Sequence, residues 1–168
     1  LAGQHWVITA GPTMEAIDPV RYISNHSSGK MGYALAAAAQ ARGARVTLVS
    51  GPTQLDAPQG IKRIDIKSAE EMLSACRTAT ATPADVFIGA AAVADFRMKE
   101  VSSQKMKKTG DSDEMQLTLV KNPDVIATLS QAKAAKCMVG FAAETQDVIA
   151  YAKSKLERKG LDLIIAND

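Results

Sequence analysis

Aromatic side chains are scarce in this chain: one Trp, three Tyr and three Phe make up 4% of its 168 residues. Proteins that bind single-stranded nucleic acid stack bases on aromatics, so this composition speaks against that class. Net charge is equally small, with 20 Lys and Arg against 18 Asp and Glu, or +2 at neutral pH. No basic footprint for a nucleic acid is present. The two cysteines, Cys76 and Cys137, lie far apart without metal-ligand spacing. They fit a reduced, cytoplasmic setting better than a disulfide. No apolar run nears the ~18 residues of a membrane span, and the expectation is a chain without signal peptide or membrane contact.

Two familiar nucleotide signatures are also missing. The first turn, Ala10-Gly11-Pro12-Thr13, lacks G-x-G-x-x-G, and Pro12 has no N–H to offer a pyrophosphate. The second strand ends Val49-Ser50-Gly51-Pro52, without the acidic residue that would grip a ribose 2′-hydroxyl. A P-loop fails because Met31 follows Gly29-Lys30, where Ser or Thr is required. An NAD(P)-dependent reductase is therefore disfavoured.

What remains is ordinary globular material, 46% hydrophobic and 23% charged, in a length that suits one domain over residues 1–168. Apolar runs at Trp6–Ala10, Arg45–Ser50, Val86–Ala92, Met138–Ala142 and Leu161–Ala166 read as strands. Ile61–Ile66 alternates and reads as a further short one. Helices are expected over Met31–Arg42, Ala69–Thr80, Asp124–Ala135 and Thr145–Lys159, with Ser68 as an N-cap and Gly43 and Gly160 as stops. Strands apolar throughout, alternating with helices, indicate a doubly wound, Rossmann-like α/β fold. Its sheet is mainly parallel, with helices on both faces. Such folds gather ligands beyond the C-terminal strand ends. The long break from Arg97 to Met115 reads as a lid or a disordered loop.

Three polar clusters fall at those ends. Arg21-Tyr22-Ile23-Ser24-Asn25-His26-Ser27-Ser28-Gly29-Lys30-Met31-Gly32 runs into the first helix. A helix start offers unpaired N–H groups and the positive end of a dipole, which suit a phosphate. Gly89 to Phe96 sets small residues at a strand end ahead of Asp95. Small residues let a flat base approach the backbone. Asp95 could hold a ribose or a metal, or merely cap a helix. Lys105-Met106-Lys107-Lys108 could close over a triphosphate or simply be a solvated charge run. Lys155 and Lys159, one helical turn apart, face the same choice between phosphate site and surface stripe.

Several segments resemble the phosphopantothenate–cysteine ligase family, the synthetase half of a bacterial bifunctional protein. They are Ile8 to Thr13, Asp18 to Gly32, Ala91 to Phe96, Lys105 to Lys108, Lys121 to Asp124, Gly140 to Thr145 and the closing Ala166-Asn167-Asp168. The resemblance implies a CTP-dependent ligation of 4′-phosphopantothenate with L-cysteine through an acyl-cytidylate, accompanied by Mg²⁺, in a homodimer. It also implies an upstream decarboxylase domain, and only that domain would use FMN. By the same resemblance Lys105 serves acyl-cytidylate formation, Asn25 holds the intermediate's carbonyl, and Arg21 clamps the pantothenoyl portion or the phosphates. Ser28 and Gly29 would cradle phosphate, while Gly89, Ala90 and Ala91 meet cytosine with Asp95 near the ribose. Phe141, Lys155, Lys159 and the run Pro123, Asp124, Val125 and Ile126 would complete the CTP pocket. No metal ligands are assigned. Met14 stands where many relatives carry Arg, and the family continues past Asn167-Asp168 with a further helix. The expectation is an excised domain with a trimmed tail, and the alternative is a non-catalytic nucleotide-binding fragment.

Overall fold

The computed structural model describes residues 1–108, 110 and 112–167. Its elements, in chain order, are β1 (His5–Ala10), β2 (Glu15–Ala16), β3 (Tyr22–Ile23), α1 (Lys30–Ala41), β4 (Arg45–Ser50), β5 (Lys62–Asp65) and α2 (Ala69–Ala79). They continue with β6 (Ala84–Gly89), β7 (Phe96–Met98), β8 (Leu119–Lys121), α3 (Val125–Gln131), β9 (Ala135–Ala143), α4 (Val148–Lys159) and β10 (Leu163–Asn167). Six strands form one sheet in the order β10-β9-β6-β1-β4-β5. Every pairing in it is parallel. This is the doubly wound order, and its topological switch point lies between β1 and β6.

Two apolar layers sandwich the sheet. On one face Val7, Phe87 and Met138 pack with Met72 and Cys76 of α2 and Val125 and Leu129 of α3, and Leu156 of α4 adds to the edge. On the other, Ile8, Leu48, Ile88 and Val139 pack with Tyr33, Ala36 and Ala39 of α1. The alternation of Val7 and Ile8 between layers is the two-residue period of a strand buried on both sides. The apolar alanine stripe of α1 follows from how closely it approaches β1. A Cβ on Gly32 would lie 2.5 Å from Ala10 Cβ and 3.0 Å from Thr9 O.

Gly32 therefore inverts the usual helix rule. Gly→Ala inside a helix normally stabilises by ~1 kcal/mol. Here the methyl has nowhere to go, and overpacking of this kind costs about 1–3 kcal/mol. Gly32→Ala is expected to lower the thermal midpoint by roughly 4–8 °C, measurable by calorimetry; an unchanged or raised midpoint would contradict the contact.

Helix ends explain where sequence and structure part. α1 and α4 stop as expected at Gly43 (φ 99°) and Gly160 (φ 65°). In α1 the N–H of Ala44 reaches Ala39 O and that of Gly43 reaches Gln40 O, the two bonds of a Schellman motif. α3 closes in the same way, with Ala134 N–H to Leu129 O and Lys133 N–H to Ser130 O. Its left-handed residue is Lys133 (φ 52°), so no glycine announces the stop, and the helix is shorter than the expected Asp124–Ala135. α4 starts at Val148 rather than Thr145, behind Asp147 at φ 48°. Ser68 caps α2 as expected, its Oγ accepting from Glu71 N–H at 3.1 Å. The run Val86–Ala92 leaves the sheet at Gly89, because its later residues bend onto the end of β1. Two short antiparallel ribbons, β2/β3 and β7/β8, were not anticipated; the second gives part of the Arg97–Met115 break regular structure. Asp168, together with Thr109 and Asp111 of the Arg97–Met115 break, lies outside the described residues.

Candidate active site at the switch point

Beyond the C-terminal ends of β1 and β6 the chain is hydrogen-bonded into a pair of turns. Ala90 N–H donates to Thr9 O, Ala92 N–H to Gly11 O and Thr13 N–H to Ala92 O. Side chains complete the seam: Thr9 Oγ1 accepts from Ala91 N–H at 3.2 Å, and Thr13 Oγ1 accepts from Ala94 N–H at 2.9 Å. The amides of Ala90 and Ala91 are thus spent on β1. Neither is left for a base that meets this turn.

On the β6–β9 side of the seam lies a cavity of about 550 Å³, within the ~300–1,000 Å³ of small-molecule sites. Gly89, Ala91, Val93 and Asp95 form one wall, and Pro123, Asp124, Val125 and Ile126 another. Phe141 closes it from β9, and Lys155 and Lys159 of α4 reach it from the far side. A Cβ on Gly89 would lie 2.9 Å from Ile126 Cδ1, so a side chain there would shift Ile126 and take up cavity space. Asp124 caps α3, its Oδ1 accepting from Ala127 N–H at 3.1 Å, and its Oδ2 pairs with Lys159 Nζ at 3.0 Å. Lys155 Nζ donates to Phe141 O. Burial first, and then the neighbouring Lys159, lower the pKa of Lys155 below the ordinary lysine value. Its ammonium is therefore poised to gain from a bound anion.

Most of the nucleotide-pocket residues named from the sequence line this cavity, but not all. Ala90 packs into the α1-side core instead. Ser28 and Gly29 stand at the start of α1, outside the cavity. Gly29 sits at φ 80°, and a Cβ there would meet Thr53 Cγ2 at 2.8 Å and Gly11 Cα at 3.5 Å. Asn25 is exposed beside the seam, with Nδ2 donating to Ala92 O at 2.8 Å and Oδ1 accepting from Ser27 N–H at 3.1 Å. Arg21 and Lys105 are also outside. Arg21 Nη2 donates to Asp18 Oδ2 at 2.6 Å and to Met106 O at 2.7 Å, which brings the Arg21–Gly32 segment and the lysine run together.

The groups that hold this arrangement lie within or beside the family-like segments, but the sequence assigns them no role. Asp18, Thr13 and Glu15 are buried polar residues, and Glu15 accepts from Ala69 N–H at the start of α2. Arg21 holds the Asp18 carboxyl well below the usual carboxylate range. Asn122 donates from Nδ2 to Ala94 O at 2.8 Å and from its backbone to Asp95 O, fixing the loop that carries Asp95. The Asp18-Pro19 pair was a legible turn signal; the partners of Thr13 and Asn122 were not. A second cavity of about 750 Å³, lined by Tyr33, Ser50, Thr53 and Arg63, opens beyond β4 and β5.

A parallel sheet in the doubly wound order, with a cavity beyond its switch point, defines the class: a doubly wound α/β domain, a fold whose members gather ligands at that place. Within that class the chain belongs to the DNA/pantothenate metabolism flavoprotein C-terminal domain family, which it matches over residues 1–168. It is 60% identical over 163 residues to the coenzyme A biosynthesis bifunctional protein CoaBC of Vibrio vulnificus (strain YJ016), covering 96% of this chain and 40% of that protein. To the CoaBC protein of Escherichia coli (strain K12) it is 54% identical over 164 residues, 96% of this chain and 40% of that one. The chain thus spans about two fifths of these relatives' length. A crystal structure of the C-terminal domain of a CoaBC protein superposes with a TM-score of 0.88 at 43% identity, covering all of this chain and 79% of the other. Among the described residues no helix is long and apolar enough to cross a membrane.

Proposed function

We propose that this domain joins 4′-phosphopantothenate to L-cysteine at the expense of CTP, as a step in coenzyme A biosynthesis. The observation that carries the reading is the cavity beyond β6, with small residues on one wall and two lysines on the other. The first wall leaves room for a flat base, and the second suits phosphates. Relatives at 54–60% identity that are named for coenzyme A biosynthesis support the pathway.

In this reading a carboxylate oxygen of 4′-phosphopantothenate attacks the α-phosphorus of CTP, and the bond to the β-phosphate oxygen breaks to release pyrophosphate. The cysteine amine then attacks the acyl carbon of the mixed anhydride. The carbonyl–oxygen bond breaks, CMP leaves, and the amine loses a proton. A carboxylate is a poor electrophile, and the nucleotide makes it a good one. Lys155 and Lys159 would hold phosphate charge, Lys105 would neutralise the departing pyrophosphate, and Arg21 would clamp the anionic intermediate. Ser28 and Gly29 offer a second phosphate a helix start. The described residues contain no cluster of three or more His, Cys, Asp or Glu side chains. Mg²⁺ would thus take its oxygens chiefly from the triphosphate, as that ion commonly does.

The same reading makes the chain one domain of a longer bifunctional protein in the cytoplasm, with a flavin-dependent decarboxylase as the other part. It also makes it half of a homodimer. The ribbons leave Tyr22, Phe96 and Leu119 exposed, an apolar surface suited to a second copy.

The test is pyrophosphate release from CTP, Mg²⁺ and 4′-phosphopantothenate without cysteine, with CTP affinity measured by calorimetry. Release and saturable binding are expected; binding without release would favour the non-catalytic fragment. Affinity should also fall as pH rises from neutral to about 10. Lys155, its pKa already depressed, gives up its proton before an ordinary lysine does, and the neutral amine no longer attracts phosphate. Lys155→Gln should weaken binding at neutral pH and flatten that slope; an unchanged slope would remove Lys155 from the phosphate site.

A further inference from the structure

We propose that Asp18 is a positioning residue that tethers the lysine run to the Arg21–Gly32 segment and so sets where Lys105 stands. The proposal rests on the role read for Lys105 above and adds how that role is supported. The Asp18 carboxylate is fully buried while its partner Arg21 is partly exposed, and its two oxygens divide their work. Oδ1 accepts the N–H groups of Val20 at 2.8 Å and Arg21 at 2.7 Å, closing its own turn. Oδ2 accepts Arg21 Nε at 3.0 Å, Arg21 Nη2 at 2.6 Å and, from far along the chain, Met106 N–H at 3.0 Å.

Arg21 Nη2 in turn donates to Met106 O at 2.7 Å. Both backbone polar groups of Met106 are therefore held by one ion pair, and Met106 is the residue next to Lys105. The same loop is tied a second time where Ser102 N–H donates to Ile17 O at 3.1 Å. Residues 17 and 18 thus hold residues 102 and 106 on either side of Lys105. A solvated charge run would have no reason to spend a buried carboxylate on its backbone. Charge-assisted bonds of this kind are about twice as strong as neutral ones, and a catalytic cation misplaced by about 1 Å can cost on the order of 100-fold in rate.

The two-oxygen division supplies the experiment. Asp18→Asn can keep an Oδ1 acceptor for the local turn but replaces Oδ2 with an amide that donates, so three donors lose their acceptor. Trypsin cleavage after Lys105, Lys107 and Lys108 is expected to quicken about 10-fold or more. Pyrophosphate release should slow by at least about 10-fold, while CTP affinity stays within about twofold because no cavity residue is touched. In the wild-type protein the Met106 amide should exchange more slowly than that of Lys107, a readout that needs no variant.

A freely exchanging Met106 amide would overturn the tether whether or not the variant folds. So would an Asp18→Asn protein with wild-type digestion and wild-type release. Loosening of the loop in a protein that releases no pyrophosphate under any condition would sustain the tether and sink the ligase reading, so the two can be told apart.

Discussion

Lys105→Gln is expected to cut pyrophosphate release from CTP and 4′-phosphopantothenate by about 100-fold, the usual cost of deleting one preorganised charge-stabilising group. The loss should fall on the rate, with CTP affinity little changed. Lys105 is exposed and does not line the cavity; the lysines that do are Lys121, Lys155 and Lys159. In the proposed reading ground-state binding would rest on those, whereas negative charge would build on pyrophosphate only as it leaves, where a cation on a tethered loop could meet it. Glutamine retains a polar head and similar length but no charge, so the variant isolates electrostatics. Single-turnover measurement of pyrophosphate with tight control of Mg²⁺ decides it. Equal rates for the two proteins would remove Lys105 from the first step.

Asn25→Asp should fail at the other step. Activation of the acid would continue, an acyl-cytidylate would accumulate, and phosphopantothenoylcysteine would form at least about 100-fold more slowly. The side-chain amide carries two N–H groups. One is given to Ala92 O and Oδ1 accepts from Ser27, so the amide is oriented before any ligand arrives. The other N–H suits the acyl carbonyl as it gains negative charge under attack by the amine. Aspartate keeps the Ser27 contact, loses both donors, sets a carboxylate against the Ala92 carbonyl, and repels an anionic intermediate. Quenched reactions resolved by chromatography would show the intermediate. Its absence, with product formed at the wild-type rate, would assign the second step to other residues.

How much of this was readable beforehand varies with the range of the interaction. The six strands of the sheet and the four helices are visible as runs and caps because each reports local chemistry: Ser68 offers an oxygen three residues before a bare N–H, and Gly43 and Gly160 accept left-handed φ without strain. Lys133 adopts the same conformation with a side chain that predicts nothing, so the end of α3 was misplaced. The ribbons β2/β3 and β7/β8 were invisible because two or three residues cannot display a period. Within the cavity the small-residue run at Gly89 has an equally good bland reading, and the pair Lys155 and Lys159 has a better one as a surface stripe. Only the resemblance to a family turned them into a site. That Ala90 packs away from the cavity, and that the amides of Ala90 and Ala91 are consumed by Thr9, could not be inferred from the run of alanines.

Local chemistry written along the chain was enough to determine a parallel, doubly wound sheet, its helix stops, and a polar edge beyond the strand ends. Periodicity, capping and apolar runs act between near neighbours and leave their marks in order. Tertiary structure alone decided which of those polar groups meet. Met106 reaches Asp18, Asn25 reaches Ala92, and Asn122 reaches Ala94, each across a stretch of chain whose path is set by packing elsewhere. Hydrogen bonds of that reach depend on geometry accumulated over the whole sheet, and no local sequence signal encodes it.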